Sequence, residues 1–196
     1  MVPCDGWADP SRTMLGARQE RWLADGLAAS RARWQVLANQ VMVAAVDREP
    51  GDATRLPMDS WSGYPVARER LLEAIAARAP NRTVVLTGDV HSNWVNELRP
   101  GRARSERPPV ATEFVGTSIS TGGDGADAGP AAGATLAENP HVRWLNRRRG
   151  YVSCRVTPEA WTAEYRTLPF VTRPDAPVET ATRWRVSHGR PGVERA

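Results

Sequence analysis

A short apolar run at residues 83–87 ends in Gly88-Asp89-Val90-His91, and this junction constrains the fold more than any other stretch of the sequence. The run is unbroken, short and rich in β-branched residues, so it is predicted to form a buried strand. Gly88 then permits a close backbone approach or a positive φ angle. Open α/β sheets bind ligands beyond the carboxyl ends of their strands, so a functional site is expected where this strand ends.

Asp89 and His91 are the candidate metal-ligating and catalytic residues at this strand end. A carboxylate offers hard oxygen donors and an imidazole a borderline nitrogen donor, a mixture that suits iron, manganese or zinc, with calcium bound through oxygen. The alternative is a turn in which Asp89 caps the next helix and His91 has no function. The local pattern leaves both interpretations open.

The pattern of apolar residues changes along the chain from alternating helices and strands to strands alone. We expect helices at about 16–30 and 65–79, strands at 34–38, 41–46, 83–87, 110–118, 151–156, 161–166 and 182–187, and a Gly-rich loop at the rim of the site over 121–137. This order predicts an α/β fold whose mixed sheet turns antiparallel after about residue 110.

Composition excludes some classes of function. The net charge is +4 and its arginines are scattered, which suits an anionic substrate but lacks the clustered basic face of a nucleic-acid-binding protein. No apolar run approaches the ~18–20 residues that span a bilayer, so no membrane span is expected. Residues 1–10 have neither a basic start nor an apolar core, so we expect no signal peptide there.

Two further polar residues lie close to this strand end in the sequence. Asn93 follows His91 and is a candidate for substrate contact. Ser118 ends a predicted strand just before two glycines and is a candidate for lining a phosphate pocket; the alternative is a serine that only caps its own turn. The basic run 147–149 is expected to be a solvated turn, with a substrate-side or anionic-surface role as the alternative.

Several longer motifs stand in a fixed order along the chain. They are Thr13-Met14-Leu15-Gly16, Trp34 to Met42, Asp59-Ser60-Trp61 with Gly63-Tyr64-Pro65, Gly88 to Trp94, Glu113 to Ser120, Asn139-Pro140-His141 and Arg149-Gly150-Tyr151-Val152. In order and spacing these motifs resemble the PhoD family of alkaline phosphatases, from about residue 12 to residue 195.

The resemblance implies a metal-dependent hydrolase of phosphoesters, both phosphatase and phosphodiesterase, on a metallophosphatase α/β/β/α sandwich. It implies iron(III) and calcium as the metals, and it places Asp89 and His91 in the family's C-terminal metal-site motif. His141 resembles part of a family motif near the active site, which makes it a substrate-binding candidate; the alternative is an ordinary loop histidine.

The resemblance also implies that residues 1–196 form a partial domain, the C-terminal half of the sandwich. The family's N-terminal half carries the other metal ligands, and two ligands cannot close a cluster of two or three metals. We therefore expect a phosphoester hydrolase that needs a separate N-terminal half, or alternatively a non-catalytic remnant that binds metal or phosphate weakly. Full-length relatives are commonly exported, and the location of this chain is left open.

Overall fold

The computed structural model describes residues 1–101 and 105–196 as three α-helices, a short 3-10 helix and nine strands. The helices are α1 (Ala17–Ala29), α2 (Pro65–Arg78) and α3 (Pro130–Glu138), with the 3-10 helix at Trp61–Gly63, and the strands are β1 (Gln35–Ala38), β2 (Thr83–Thr87), β3 (Asn93–Leu98), β4 (Ala111–Val115), β5 (Val142–Asn146), β6 (Arg149–Val156), β7 (Ala160–Leu168), β8 (Glu179–Ser187) and β9 (Glu194–Arg195). No helix among these residues is long and apolar enough to cross a membrane.

The strands form two sheets. The first has the order β1-β2-β4-β3-β5, in which β1, β2 and β4 are parallel while β3 is antiparallel to both of its neighbours. The second has the order β6-β7-β8-β9 and is antiparallel throughout. The predicted α/β class with a mixed sheet is confirmed. The antiparallel pairing was predicted to start after about residue 110. It starts earlier, because β3, which was not predicted, pairs antiparallel with β4.

The two sheets pack face to face, and the helices cover the other face of the first sheet. Val84, Val95 and Phe114 of the first sheet belong to one apolar cluster with Trp161 and Tyr165 of the second. A second cluster joins Val85 to Leu27 of α1 and to Leu72 and Ile75 of α2. The described residues thus supply three layers, helix, sheet and sheet.

Most of the predicted elements are present, and two predictions are wrong. Both early helices and the strand at 83–87 lie where the sequence places them. Residues 130–138, however, are helix α3 rather than loop: Pro130 occupies the first turn, alanines follow, and Ala132 and Leu136 pack against the core at i, i+4 spacing. Gly133 lies in the middle of this segment, and because glycine disfavours helix interiors, the sequence did not indicate a helix there.

The segment 41–46, predicted as a strand, is an irregular stretch buried in the core. Several of its backbone groups bond to side chains instead of to a sheet partner. The amides of Val43 and Ala44 donate to the two carboxylate oxygens of Glu113, at 2.6 and 3.1 Å, and the carbonyl of Val43 accepts from Nε of Arg68 at 2.7 Å. Buried backbone groups without a partner are costly, so these contacts allow an irregular segment to occupy the core.

Glu113 is fully buried on β4 and accepts two more hydrogen bonds, from Nδ2 of Asn96 at 2.9 Å and from Oγ1 of Thr87 at 3.3 Å. Burial raises the pKa of this carboxyl, and the donated bonds together with the Arg68 charge act in the opposite direction. Arg68 is itself buried, which lowers its pKa to about 10, so it remains charged at neutral pH.

Replacing Glu113 with Gln should lower the free energy of unfolding by about 2–4 kcal/mol, because an amide turns a donor towards backbone amides that then lack an acceptor. Urea unfolding measures the change. Glu159→Gln, at an exposed glutamate, is the matched control and should stay within about 0.5 kcal/mol of the wild type. Equal loss in both variants would contradict the role assigned to Glu113.

Candidate functional site

The carboxyl ends of β2 and β4 lie side by side at one edge of the first sheet. Thr87 and Val115 are register partners in this parallel pair, and the amide of Gly116 donates to the carbonyl of Thr87 at 2.9 Å. The turn 88–92 and the loop that starts at Gly116 therefore leave the sheet from neighbouring positions. A site beyond the ends of parallel strands is the arrangement expected of an open α/β sheet.

Asp89 and His91 occupy this turn, and both have left-handed backbone conformations, with φ of 69° and 50°. Val90 between them is partly buried against the helix-side core, while Asp89 and His91 are exposed. Asp and His enter this region more readily than most residues, yet each left-handed residue still costs roughly 1 kcal/mol. The turn thus directs an apolar residue inwards and presents a carboxylate and an imidazole at the surface.

Neither of these two side chains forms a hydrogen bond or an ion pair with another residue that the structure describes. Their donor types fit a metal that accepts both oxygen and nitrogen. Within residues 1–101 and 105–196, no group of three or more His, Cys, Asp or Glu side chains could hold a metal ion. Among the described residues, Asp89 and His91 are therefore not joined by a third side chain of these types.

Asn93, a candidate for substrate contact, uses its amide to brace two backbone segments. It is buried at the start of β3, where its Oδ1 accepts from the amide of Thr117 at 3.2 Å and its Nδ2 donates to the carbonyl of Arg148 at 3.1 Å. These bonds connect the loop after β4 to the start of β6. In this conformation Asn93 restrains the two backbone segments that lie beside the candidate site.

Ser118 lies on the loop after β4 and is partly buried. Its hydroxyl donates to the carbonyl of Thr121 at 2.9 Å, and its carbonyl accepts from the amide of Gly150 at 3.4 Å. The hydroxyl therefore caps its own turn, which is the alternative that the sequence left open. The loop that Ser118 closes lies next to the Asp89–His91 turn.

Arg149 lies at the candidate site, although the sequence favoured a solvated turn for its basic run, with a substrate-side or anionic-surface role as the alternative. Its side chain is buried, and its guanidinium donates to the carbonyls of His91 at 2.7 Å, Gly123 at 2.8 Å and Gly122 at 3.4 Å, and to Oγ1 of Thr117 at 3.3 Å. One arginine thereby joins the Asp89–His91 turn to the Gly-rich segment at 122–123. The signal in the sequence was the motif Arg149 to Val152, which belongs to the family resemblance.

His141 is not brought to this turn. It precedes β5, and its carbonyl accepts from the amide of Glu97, near the end of β3, whereas the start of β3 at Asn93 lies beside the site. Glu97 and Asn93 are four strand residues apart, which corresponds to about 13 Å along β3. His141 is buried, and its Nε2 lies 2.9 Å from the carbonyl of Ala45, so it supports the irregular core segment.

The neighbouring Asn139 supports the same segment. Its Oδ1 accepts from the amide of Asp47 at 2.8 Å, and its Nδ2 donates to the carbonyl of Asp47 at 2.7 Å. The Asn139-Pro140-His141 motif therefore has a structural function here that the sequence did not reveal.

Comparisons with known proteins show what this chain is similar to. Residues 2–165 match the model of the family described as PhoD-like phosphatase. Alkaline phosphatase D of Bacillus subtilis (strain 168) is 42% identical over 193 residues, which are 98% of this chain and 33% of that protein. A solved structure of PhoD superimposes with a TM-score of 0.92 at 41% identity, over 100% of this chain and 37% of its own. This chain spans about a third of the length of these relatives.

The buried position of His141 predicts a pH dependence of stability. Burial first, and then the charge of Arg68, lower its pKa to about 4, below the unfolded value of about 6.5, so folding favours the neutral ring. Its contribution is complete above pH 6.5 and is lost as the pH falls towards 4, by at most about 1.4 kcal/mol per unit. Urea unfolding between pH 7.5 and 4.5 should show a steeper loss for the wild type than for His141→Gln. Parallel curves would refute the assignment.

Loss of the Arg149 guanidinium should loosen the two segments that it joins. Arg149→Met should speed amide exchange in 89–92 and 121–123 about tenfold or more, since charged hydrogen bonds contribute about 1.5–3 kcal/mol. Hydrogen-exchange mass spectrometry measures the rates. Arg147→Met removes an exposed arginine of the same run and should leave both segments unchanged; equal rates in the two variants would show that Arg149 does not hold the turn.

Proposed function

The chain belongs to the PhoD-like phosphatase family, and we propose that it contributes Asp89 and His91 to the metal site of a phosphoester hydrolase. The proposed substrates are phosphomonoesters and phosphodiesters. Identity of 42% to an alkaline phosphatase over nearly the whole chain supports the class of reaction. The net charge of +4 is compatible with an anionic substrate.

One observation carries the proposal, namely the turn that exposes Asp89 and His91 at the carboxyl end of β2. Two left-handed residues in a single turn persist only where the surrounding structure enforces them, and such strain is concentrated at functional sites. Here the enforcing contacts are the bond from Arg149 to the carbonyl of His91 and the packing of Val90.

Iron(III) and calcium, the metals that the family resemblance implies, fit this donor pair in part. The imidazole of His91 suits iron, and the carboxylate of Asp89 suits either ion. A metal held there would polarise a phosphate oxygen and activate an attacking oxygen. Asp89 and His91 would hold the ion from this side, and Arg149 would keep His91 in place through its carbonyl.

The remaining ligands would come from the portion of the fold that this chain does not represent. The chain covers 33% of the Bacillus subtilis relative, and its described residues supply two donors at the turn, too few for a catalytic site. A second candidate function follows from the same ligand deficit: a non-catalytic half-domain that binds metal or phosphate weakly. The two differ in whether a complementary polypeptide restores hydrolysis.

The test is a complementation assay with bis(p-nitrophenyl) phosphate and p-nitrophenyl phosphate in the presence of iron and calcium. The chain is assayed alone and co-expressed with the N-terminal remainder of the Bacillus subtilis relative. We expect hydrolysis only in the complex. Asp89→Asn keeps a residue that tolerates left-handed backbone and should lower the activity at least about a hundredfold, together with the bound iron.

Asp175→Asn is the matched control, because Asp175 is also exposed and left-handed, with φ of 65°, but lies in the loop before β8. It should retain activity and metal. A complex that binds metal without hydrolysing either ester would favour the half-domain alternative. Equal activity of the two variants would remove Asp89 from the mechanism.

A further inference from the structure

A cavity of about 580 Å³ lies at the end of β3 that is remote from the Asp89–His91 turn. Its wall includes Gly101, which follows the end of β3, whereas Asn93 at the start of β3 lies beside the turn. The length of β3 between these two ends corresponds to about 17 Å. Neither Asp89 nor His91 lines the cavity, so it is separate from the candidate site.

Three segments of the chain provide most of the wall: residues 3–8, residues 45–56 and the start of α2 with the 3-10 helix before it. Hydrogen bonds fasten the first segment to the other two. The amide of Leu56 donates to the carbonyl of Met1 at 3.1 Å, and Nε1 of Trp7 donates to the carbonyl of Ser62 at 2.9 Å. The cavity is therefore enclosed by segments that are bonded to one another.

Most of the cavity wall is apolar. Trp7, Ala45, Leu56, Pro65 and Val66 contribute to it. Pockets that bind small organic molecules commonly have volumes of about 300–1,000 Å³, mainly apolar walls and a few polar groups. Burial of an apolar ligand surface in such a space is favourable, so both the size and the polarity of the cavity suit a small organic molecule.

The cation in this wall is already bound to the protein. Arg68 is buried, and its guanidinium donates to the carbonyl of Val43 at 2.7 Å and to the carbonyl of Gly101 at 2.9 Å. If Arg68 turned to a ligand anion, these carbonyls would lose their donor, which is costly for buried groups. The wall therefore offers no cation that is available to an anionic ligand.

Two carboxylates of the wall are also bound to the protein. Oδ1 of Asp47 accepts from the amides of Glu49 and Arg55, both at 3.0 Å, and Oε2 of Glu69 accepts from the amide of Gly101. A cationic ligand would compete with these bonds, and an anionic ligand would meet two like charges. Because a buried charge without a partner is costly, the wall favours a ligand that carries no charge.

The hydroxyl of Ser62 is a polar group in the wall that lacks a partner. Ser62 is 2% exposed, and its Oγ is buried without a hydrogen bond to any residue that the structure describes. A hydroxyl can both donate and accept, and buried polar atoms without partners are rare because they are costly. A ligand with one hydroxyl or amide group would supply the missing bond.

We propose that this cavity binds a small uncharged molecule with an apolar body and a single hydroxyl or amide group. The body lies against Trp7 and Leu56, and the polar group bonds to Ser62. Such a ligand differs in class from phosphoesters, which are anions at neutral pH. The site is thus independent of the proposed hydrolysis and holds whether or not the chain takes part in that reaction.

The experiment titrates the chain at pH 7 with 2-naphthol, 2-methylnaphthalene and 2-naphthoate, which share one ring system, and follows their fluorescence. We expect 2-naphthol to bind and 2-naphthoate to bind at least about tenfold more weakly, because its charge has no partner in the cavity. Ser62→Ala should weaken 2-naphthol about fivefold and leave 2-methylnaphthalene unchanged, since only the hydroxyl bond is lost. Ser153→Ala, at an exposed serine of β6, is the matched control and should affect neither.

A pair of tryptophan variants locates the bound probe. Val66→Trp places a larger side chain in the cavity wall and should weaken 2-naphthol at least about tenfold by taking up the volume of the ligand. Val36→Trp does the same in the separate groove between α1 and β1 and should have no effect. Ser62→Ala removes a hydroxyl without partners and keeps the fold, so the test remains decisive if Val66→Trp fails to fold.

Four results would overturn the proposal. They are the absence of 2-naphthol binding to the wild type, tighter binding of 2-naphthoate, an equal effect of Ser62→Ala on 2-naphthol and 2-methylnaphthalene, and loss of binding in Val36→Trp with retention in a folded Val66→Trp. The last result would place the probe in the groove between α1 and β1.

Discussion

The buried carboxylate of Glu113 is the interaction on which the rest of this structure depends. It lies on β4 and accepts hydrogen bonds from the irregular segment at Val43 and Ala44, from Thr87 at the end of β2 and from Asn96 on β3. A carboxylate without partners would not be tolerated in such a core, and one with four donors specifies where each donor must lie. These bonds thereby hold the carboxyl ends of β2 and β4 side by side, and the loops of the candidate site begin there.

A second set of polar contacts restrains the loops at the candidate site. Asn93 and Arg149 bind mostly backbone groups, so they fix the path of the loops largely independently of the loop side chains; the exception is the bond from Arg149 to Oγ1 of Thr117. Backbone restraint leaves the side chains of Asp89 and His91 free to bind. The candidate site thus consists of two restrained backbone segments and of two exposed side chains, Asp89 and His91, that these segments hold at the surface.

Sequence reasoning succeeded where the determinants are local and failed where they are distant. The strand before Gly88 and the helix after Pro65 could be predicted because length, apolar pattern and breakers lie within a few residues. The segment 41–46 is as apolar as a strand, and its conformation is decided by Glu113, some 70 residues later. β3 was missed because buried Asn96 and Glu97 interrupt its apolar pattern. Arg149 looked like a solvated residue because its acceptors lie up to 58 residues away.

The exposed inner faces of β1 and β6 have one physical origin. Among the residues that the structure describes, the first sheet ends at β1, which leaves Val36 and Val156 only partly covered. Hydrophobic burial is strong and non-directional, so it decides which faces pack together, whereas directional contacts such as those of Glu113 and Arg149 decide where each backbone segment lies.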